Sequence, residues 1–144
     1  FAIKAESSGV DAIVAEGFEA GGHNGIEETT TMCLVPDVAK AINVPLIAAG
    51  GIIDGKSMLA AMILGADGVQ MGTRFVACKE SSAHENFKNM VLKAKEGDTR
   101  LTLKEITPVR MMKNKFFQEL EELYKTSPSK EQLLNKVQFA LIST

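Results

Sequence analysis

The sequence predicts an α/β fold, the C-terminal portion (about the last three strands) of a (β/α)8 barrel, followed by C-terminal helices. Three observations carry this expectation. Short, wholly apolar runs recur, each closed by glycine, as in strands buried on both faces of a parallel sheet. Amphipathic helical patterns separate them, which is the βα alternation of parallel strands joined by crossovers. Three such strands make a poor core alone, because a closed barrel needs eight strands and about 250 residues and an open sheet keeps two unpaired edges.

Ala2 to Ser8 read as helix and stop at Gly9, a usual helix-ending residue. Asp11 to Glu16 form the first apolar strand, followed by the glycine-rich loop Gly17-Phe-Glu-Ala-Gly-Gly-His-Asn-Gly25. The next helix is expected over Pro36 to Ile42, with proline in its first turn and Val38 and Ile42 on one face. Pro45 to Ala49 is the second strand, ending in Gly50-Gly51. A helix near Ser57 to Leu64 carries Met58, Leu59, Met62 and Ile63 as a core stripe, and Gly65 closes it. The third strand is Gly68 to Met71, ending in Gly72-Thr73.

Beyond Phe75 the pattern changes. Ser82 to Lys95 reads as a helix with Phe87, Met90 and Val91 on one side, and Arg100 to Ile106 as a strand or extended arm. Lys113 to Lys125 is amphipathic, with Phe116, Phe117, Leu120, Leu123 and Tyr124 on one face. Ser127-Pro128 opens a last helix with Leu133, Leu134, Val137 and Leu141 spaced for burial. The expected organisation is residues 1–80 as the barrel portion and 81–144 as a helical extension of the same domain or a small lid. Because the chain opens at Phe1 without methionine, on the end of a helix, the missing strands are expected upstream.

The 144 residues are 45% hydrophobic and 24% charged, with a net charge of −2, an ordinary globular balance. No basic run points to nucleic acid, no apolar run reaches the roughly 18 residues of a membrane span, and no signal peptide opens the chain. Cys33 and Cys78 stand alone, without C-x-x-C or a paired histidine, so no metal site is expected. They read as reduced core residues of a cytoplasmic protein, although spacing alone leaves a disulfide between them open.

The chemistry concentrates in the glycine loops. In barrels the loops after the last two strands commonly hold phosphate on backbone N–H groups. Gly50, Gly51 and Gly72 allow close approach, Thr73 adds a hydroxyl, and a helix N-terminus near Lys56 adds its dipole. Spacing alone leaves tight βα turns as an equal reading. No G-x-G-x-x-G is present, and Gly17 to Asn24 has P-loop spacing but His23 where lysine belongs. His23 follows a strand at the end where barrels place catalysis, and histidine exchanges protons near neutral pH; a surface loop histidine is the bland alternative. Glu16 projects from the strand end toward the pocket, Glu19 reads as solvated, Arg74 as a phosphate partner or, more simply, an ion-pair partner within the chain, and His84 as an ordinary helix residue.

Together, Glu16-Gly-Phe-Glu-Ala-Gly-Gly-His-Asn-Gly25, Ile47-Ala-Ala-Gly-Gly-Ile52 with Asp54-Gly55, and Leu64-Gly-Ala-Asp-Gly-Val-Gln-Met-Gly-Thr-Arg-Phe75 closely resemble the nitronate monooxygenases, formerly called 2-nitropropane dioxygenases. They are also similar to the related FMN-dependent enoyl-[acyl-carrier-protein] reductases. Lys79-Glu-Ser, His84 and Phe87-Lys88 continue the likeness, which runs from about Gly9 to Lys115. The resemblance implies a TIM barrel holding FMN, with its phosphate on Gly50, Gly51, Gly72 and Thr73, further cofactor contacts from Glu16 and Gly22, and His23 as the catalytic residue. His23 would act as the base or position the nitro oxygen. The implied partners are a small-molecule nitronate or enoyl thioester and O2, with a homodimer left open. The implied reaction is oxidation of a nitronate with O2 to a carbonyl compound and nitrite. Reduction of an enoyl thioester with NAD(P)H is the alternative, and an inactive fragment or phosphate-ligand-binding domain is the reading of another class. The family's N-terminal half is absent and residues 137–144 depart from its usual ending, so truncation at both ends is expected.

Overall fold

The computed structural model describes residues 1–142, with side chains described as far as Gln138. The chain divides into two compact units, Phe1–Gly21 with Glu27–Ala94, and Gly22–Ile26 with Lys95 onward.

The first unit has a parallel sheet of β1 (Ile13–Glu16), β3 (Leu46–Ala49) and β4 (Gly68–Gln70), in the order β1-β3-β4. Glu16 pairs with Ala49, and Ala49 with Gln70, so the three strands end together. Helices α1 (Ala2–Ser7), α2 (Thr31–Ala41) and α3 (Gly55–Ile63) follow the expected order. Ile13, Ala15, Leu46 and Ala48 form the core with Val35, Ile42 and Ala61. Gly9 and Gly65 end their helices at positive φ, +86° and +108°, the left-handed conformation glycine adopts without strain.

Several expectations are corrected here. Helix α2 starts at Thr31, not Pro36: Thr30 caps it by accepting the Cys33 N–H, and proline sits inside the helix, leaving Met32 O without its ladder donor. Burial along β1 alternates, because Val14 and Glu16 are exposed while Ile13 and Ala15 are covered. One face of this edge strand is packed and the other is open. The Met-rich stripe is also exposed: Leu59 and Ile63 face outward, whereas Ala61 is buried against the sheet. Cys33 is exposed and both cysteines are free thiols. After β4 the chain makes the short helix α4 (Thr73–Val76), then α5 (Glu85–Lys93). On α5, Phe87 and Met90 are exposed and Lys88 is buried, its ammonium 3.3 Å from Glu85.

The second unit holds an antiparallel sheet, β2 (Gly22–His23), β6 (Val109–Met112) and β5 (Thr99–Thr102), in the order β2-β6-β5, with helices α6 (Lys115–Tyr124) and α7 (Lys130–Ile142). Strand β5 stops where Leu103 adopts φ +57°, which ends the extended ladder and buries the leucine with Leu120 and Leu133. Asn114 caps α6 by accepting the Phe117 N–H at 2.9 Å. Phe117 and Leu120 are buried and Phe116, Leu123 and Tyr124 are half-buried, as the amphipathic pattern requires, but Leu134 is exposed. Leu141 lies outside the described side chains. Leu120 is fully buried, so Leu120→Ala is expected to lower unfolding stability by about 2–5 kcal/mol. Denaturant titration checks this, and an unchanged midpoint would show that this cluster does not hold the unit together.

Among the described residues, no helix is long and apolar enough to cross a membrane and no group of three or more His, Cys, Asp or Glu side chains gathers for a metal.

Candidate active site

The glycine loops of the first unit leave the same edge of its sheet. Gly17 follows β1, Gly50-Gly51 follow β3, and Gly72-Thr73 lie beyond β4. Because Glu16, Ala49 and Gln70 are in register, these turns emerge side by side at the carboxyl ends of the strands. Open α/β sheets bind ligands at that edge. Glu16 is exposed there.

The Gly50-Gly51 turn is tightly specified. Both glycines have positive φ, +92° and +71°. A Cβ on Gly50 would lie 2.6 Å from Gly17 O, and one on Gly51 would lie 3.1 Å from the Glu19 Cβ. The Gly17 N–H donates to Ala49 O at 2.9 Å. Thr31 Oγ1 lies 2.8 Å from Gly50 O, 3.2 Å from Ala49 O and 3.1 Å from Glu19 Oε2. The Glu19 carboxylate accepts the Thr31 N–H at 3.0 and 3.2 Å. Glu19 is therefore not a solvated bystander, as its place in a glycine-rich loop suggests. It braces the first turn of α2, where a negative charge also complements the helix dipole. Its partner is twelve residues away, and no local pattern announces the pairing.

The hydrogen bonds at this turn use the carbonyls of Ala49 and Gly50. Among the described residues, no protein acceptor takes the N–H of Gly50 or Gly51. Gly72 differs. Its φ is −91° and nothing lies within 4 Å of a Cβ built on it, so neither backbone conformation nor packing of the chain requires glycine there. Gly72 N-caps α4, its carbonyl accepts the Phe75 and Val76 N–H groups, and Thr73 and Arg74 are exposed.

The α3 terminus near Lys56 does not serve as expected. Asp54 occupies it, accepting the Ser57 N–H at 2.8 Å, while Ser57 Oγ accepts the Asp54 N–H at 3.0 Å. Hydrogen bonds from Ser57, first its backbone N–H and then its hydroxyl, hold the Asp54 carboxyl below its ordinary value. That positive helix end is already matched by a carboxylate.

Gly22 and His23 belong to the second unit, and they are not in an irregular loop. They form β2, with Gly22 opposite Arg110 and His23 opposite Val109. Gly22 has φ +87°, which only glycine adopts cheaply, and the Asn24 N–H continues the pairing to Pro108 O at 2.8 Å. The His23 side chain is exposed. Strand β6 was not legible beforehand, because Val109-Arg-Met-Met112 lacks period-two alternation.

An open cleft of about 840 Å³ runs along the free edge of β1, between α1 and α2. Ala5, Val14, Leu34 and Val38 line it, with Glu16 the acidic member of its strand wall. Its lining is mostly apolar, and among the described residues no metal-binding group of His, Cys, Asp or Glu gathers in it.

A parallel α/β sheet with three glycine turns at its carboxyl edge belongs to the class of folds that place ligand sites at that edge. The sequence resolves the class further: residues 2–142 match the family model "Nitronate monooxygenase", and the chain belongs to that family. It is 44% identical over 132 residues to a probable nitronate monooxygenase of Staphylococcus saprophyticus, covering 84% of this chain and 37% of that protein. FabK from Thermotoga maritima superposes with a TM-score of 0.79 at 47% identity, over 85% of this chain and 39% of FabK. A nitroalkane oxidase from Streptomyces ansochromogenes superposes with a TM-score of 0.72 at 35% identity, over 82% and 37% of the two chains. The chain thus spans between a third and two-fifths of the length of these relatives.

Proposed function

We propose that this chain is the FMN-phosphate-binding portion of a (β/α)8-barrel oxidoreductase that oxidises nitronates with O2 to carbonyl compounds and nitrite. The observation that carries the reading is the Gly50-Gly51 turn, whose Gly50 carbonyl is held by Thr31 while, among the described residues, no protein acceptor takes its two N–H groups. The open space around Gly72 supports it, because a phosphate would fill room that a side chain would otherwise take. The uncovered faces of Val14 and Glu16 on β1 support the barrel, since strands buried on one face only are what a partial barrel leaves.

In this reading Gly50, Gly51, Gly72 and Thr73 hold the phosphate, and Glu16 and Gly22 supply further contacts. FMN, when bound, supplies the electron chemistry between substrate and oxygen. His23 takes up a proton or fixes the nitro group, work suited to an exposed imidazole on a paired strand. A second reading rests on the same three glycine blocks, which equally resemble enoyl-thioester reductases: there the electrons come from NAD(P)H.

The test is the visible spectrum of the purified protein with the released pigment identified by mass, followed by nitrite assay with an alkyl nitronate in air. Flavin absorbance, FMN in the release and nitrite formation are the expected results. NAD(P)H consumption with an enoyl thioester and no nitrite would replace the first reading by the second. A colourless protein that takes up no added FMN would remove both.

A further inference from the structure

We propose that Glu19 and Thr31 are positioning residues, a hydrogen-bonded pair that sets the Gly50-Gly51 turn in the shape that receives a phosphate. The inference rests on the phosphate reading of that turn and extends the bracing of α2 by Glu19 to the turn itself.

Two contacts reach the turn from elements other than its own, and a third ties the two bracing residues together. The Thr31 hydroxyl has one proton and three acceptors in reach, and the nearest is Gly50 O at 2.8 Å. The Glu19 carboxylate holds Thr31 from the other side through its N–H at 3.0 Å. The stem of Glu19 walls Gly51, with its Cβ, Cγ and Cδ all within 4 Å of the position a Gly51 Cβ would take. The peptide between Gly50 and Gly51 is thereby fixed at its carbonyl, and a trans peptide places its N–H on the opposite side of the same plane. Holding Gly50 O inward therefore aims the Gly51 N–H outward. The pair acts through the Gly50-Gly51 peptide, which it contacts directly. A preorganised donor of this kind avoids the cost of ordering the turn when the anion arrives.

FMN and riboflavin differ only in the phosphate, so the ratio of their dissociation constants isolates this effect. In the protein freed of flavin and titrated with each, Thr31→Val, which keeps shape but removes the hydroxyl, is expected to weaken FMN by roughly tenfold, the scale of one lost hydrogen bond. Riboflavin affinity should stay constant. Thr31→Ser should restore the ratio, and Glu19→Gln, which keeps shape but loses the charge, should shift it in the same direction by less. A Thr31→Val protein that weakens both flavins alike, or neither, while the unaltered protein prefers FMN, overturns the positioning role. An unaltered protein that holds FMN no better than riboflavin overturns the phosphate reading itself.

Discussion

His23→Ala is expected to lower turnover by roughly 100-fold or more, the scale of a lost general acid or base, while flavin stays bound. The separation of the two effects follows from where His23 sits. Its backbone pairs with Val109 and its side chain is exposed, so the ladder survives removal of the imidazole and no buried contact is lost. The expected phosphate contacts, Gly50, Gly51, Gly72 and Thr73, are residues of another part of the chain. Nitrite formation from a nitronate, measured beside the flavin absorbance of the same preparation, reads both quantities. Unchanged turnover would remove His23 from the chemistry and favour a module that binds a phosphate ligand without transforming it. Loss of flavin together with turnover would instead make His23 a binding residue.

Gly17→Ala is expected to destabilise the first unit strongly. A Cβ at this position would lie 2.1 Å from Thr31 Oγ1 and 2.4 Å from Thr31 N. The hydroxyl can rotate, but the nitrogen is backbone at the first turn of α2 and is held by the Glu19 carboxylate. Relief requires α2 to move away from β1, which opens the core where Val35 is fully buried. Overpacking typically costs about 1–3 kcal/mol, and a clash with backbone belongs at the upper end or beyond. Gly21→Ala is the matched comparison, because nothing lies within 4 Å of its Cβ position. Thermal unfolding should show a large drop for the first and almost none for the second. Equal midpoints would mean that the β1 turn and α2 adjust freely, and the bracing assigned to Glu19 and Thr31 would lose its basis.

The three parallel strands were legible because each is a short apolar run closed by glycine, a signal that needs no knowledge of distant residues. The start of α2 was obscured by two competing rules. Proline favours a first turn, but Thr30 has the stronger claim as a cap, and Pro36 is tolerated inside the helix at the loss of one ladder bond. The stripe Met58, Leu59, Met62 and Ile63 has helical period without burial, since periodicity reports a face and not what covers it. At the candidate site the glycines could be named from sequence, but their neighbours could not. Glu19 meets Thr31 across twelve positions, and Thr31 meets Gly50 across nineteen. Such pairs arise from the crossover geometry of α2 and β3, which composition and spacing leave unspecified.

The pairing of β2 has a kinetic consequence. Two residues near the start of the chain form a strand only by meeting Val109 and Arg110, far downstream. Closing so long a loop is entropically expensive and repaid by few ladder bonds, so contacts of this kind form late on a folding route. The parallel strands, whose partners are joined by single crossovers, do not wait for it. On a ribosome, every partner of the parallel sheet emerges before β6 is made, whereas β2 has nothing to pair with until Val109 and Arg110 appear. A nascent or truncated product ending before Val109 would therefore carry the glycine turns with Gly22 and His23 unpaired.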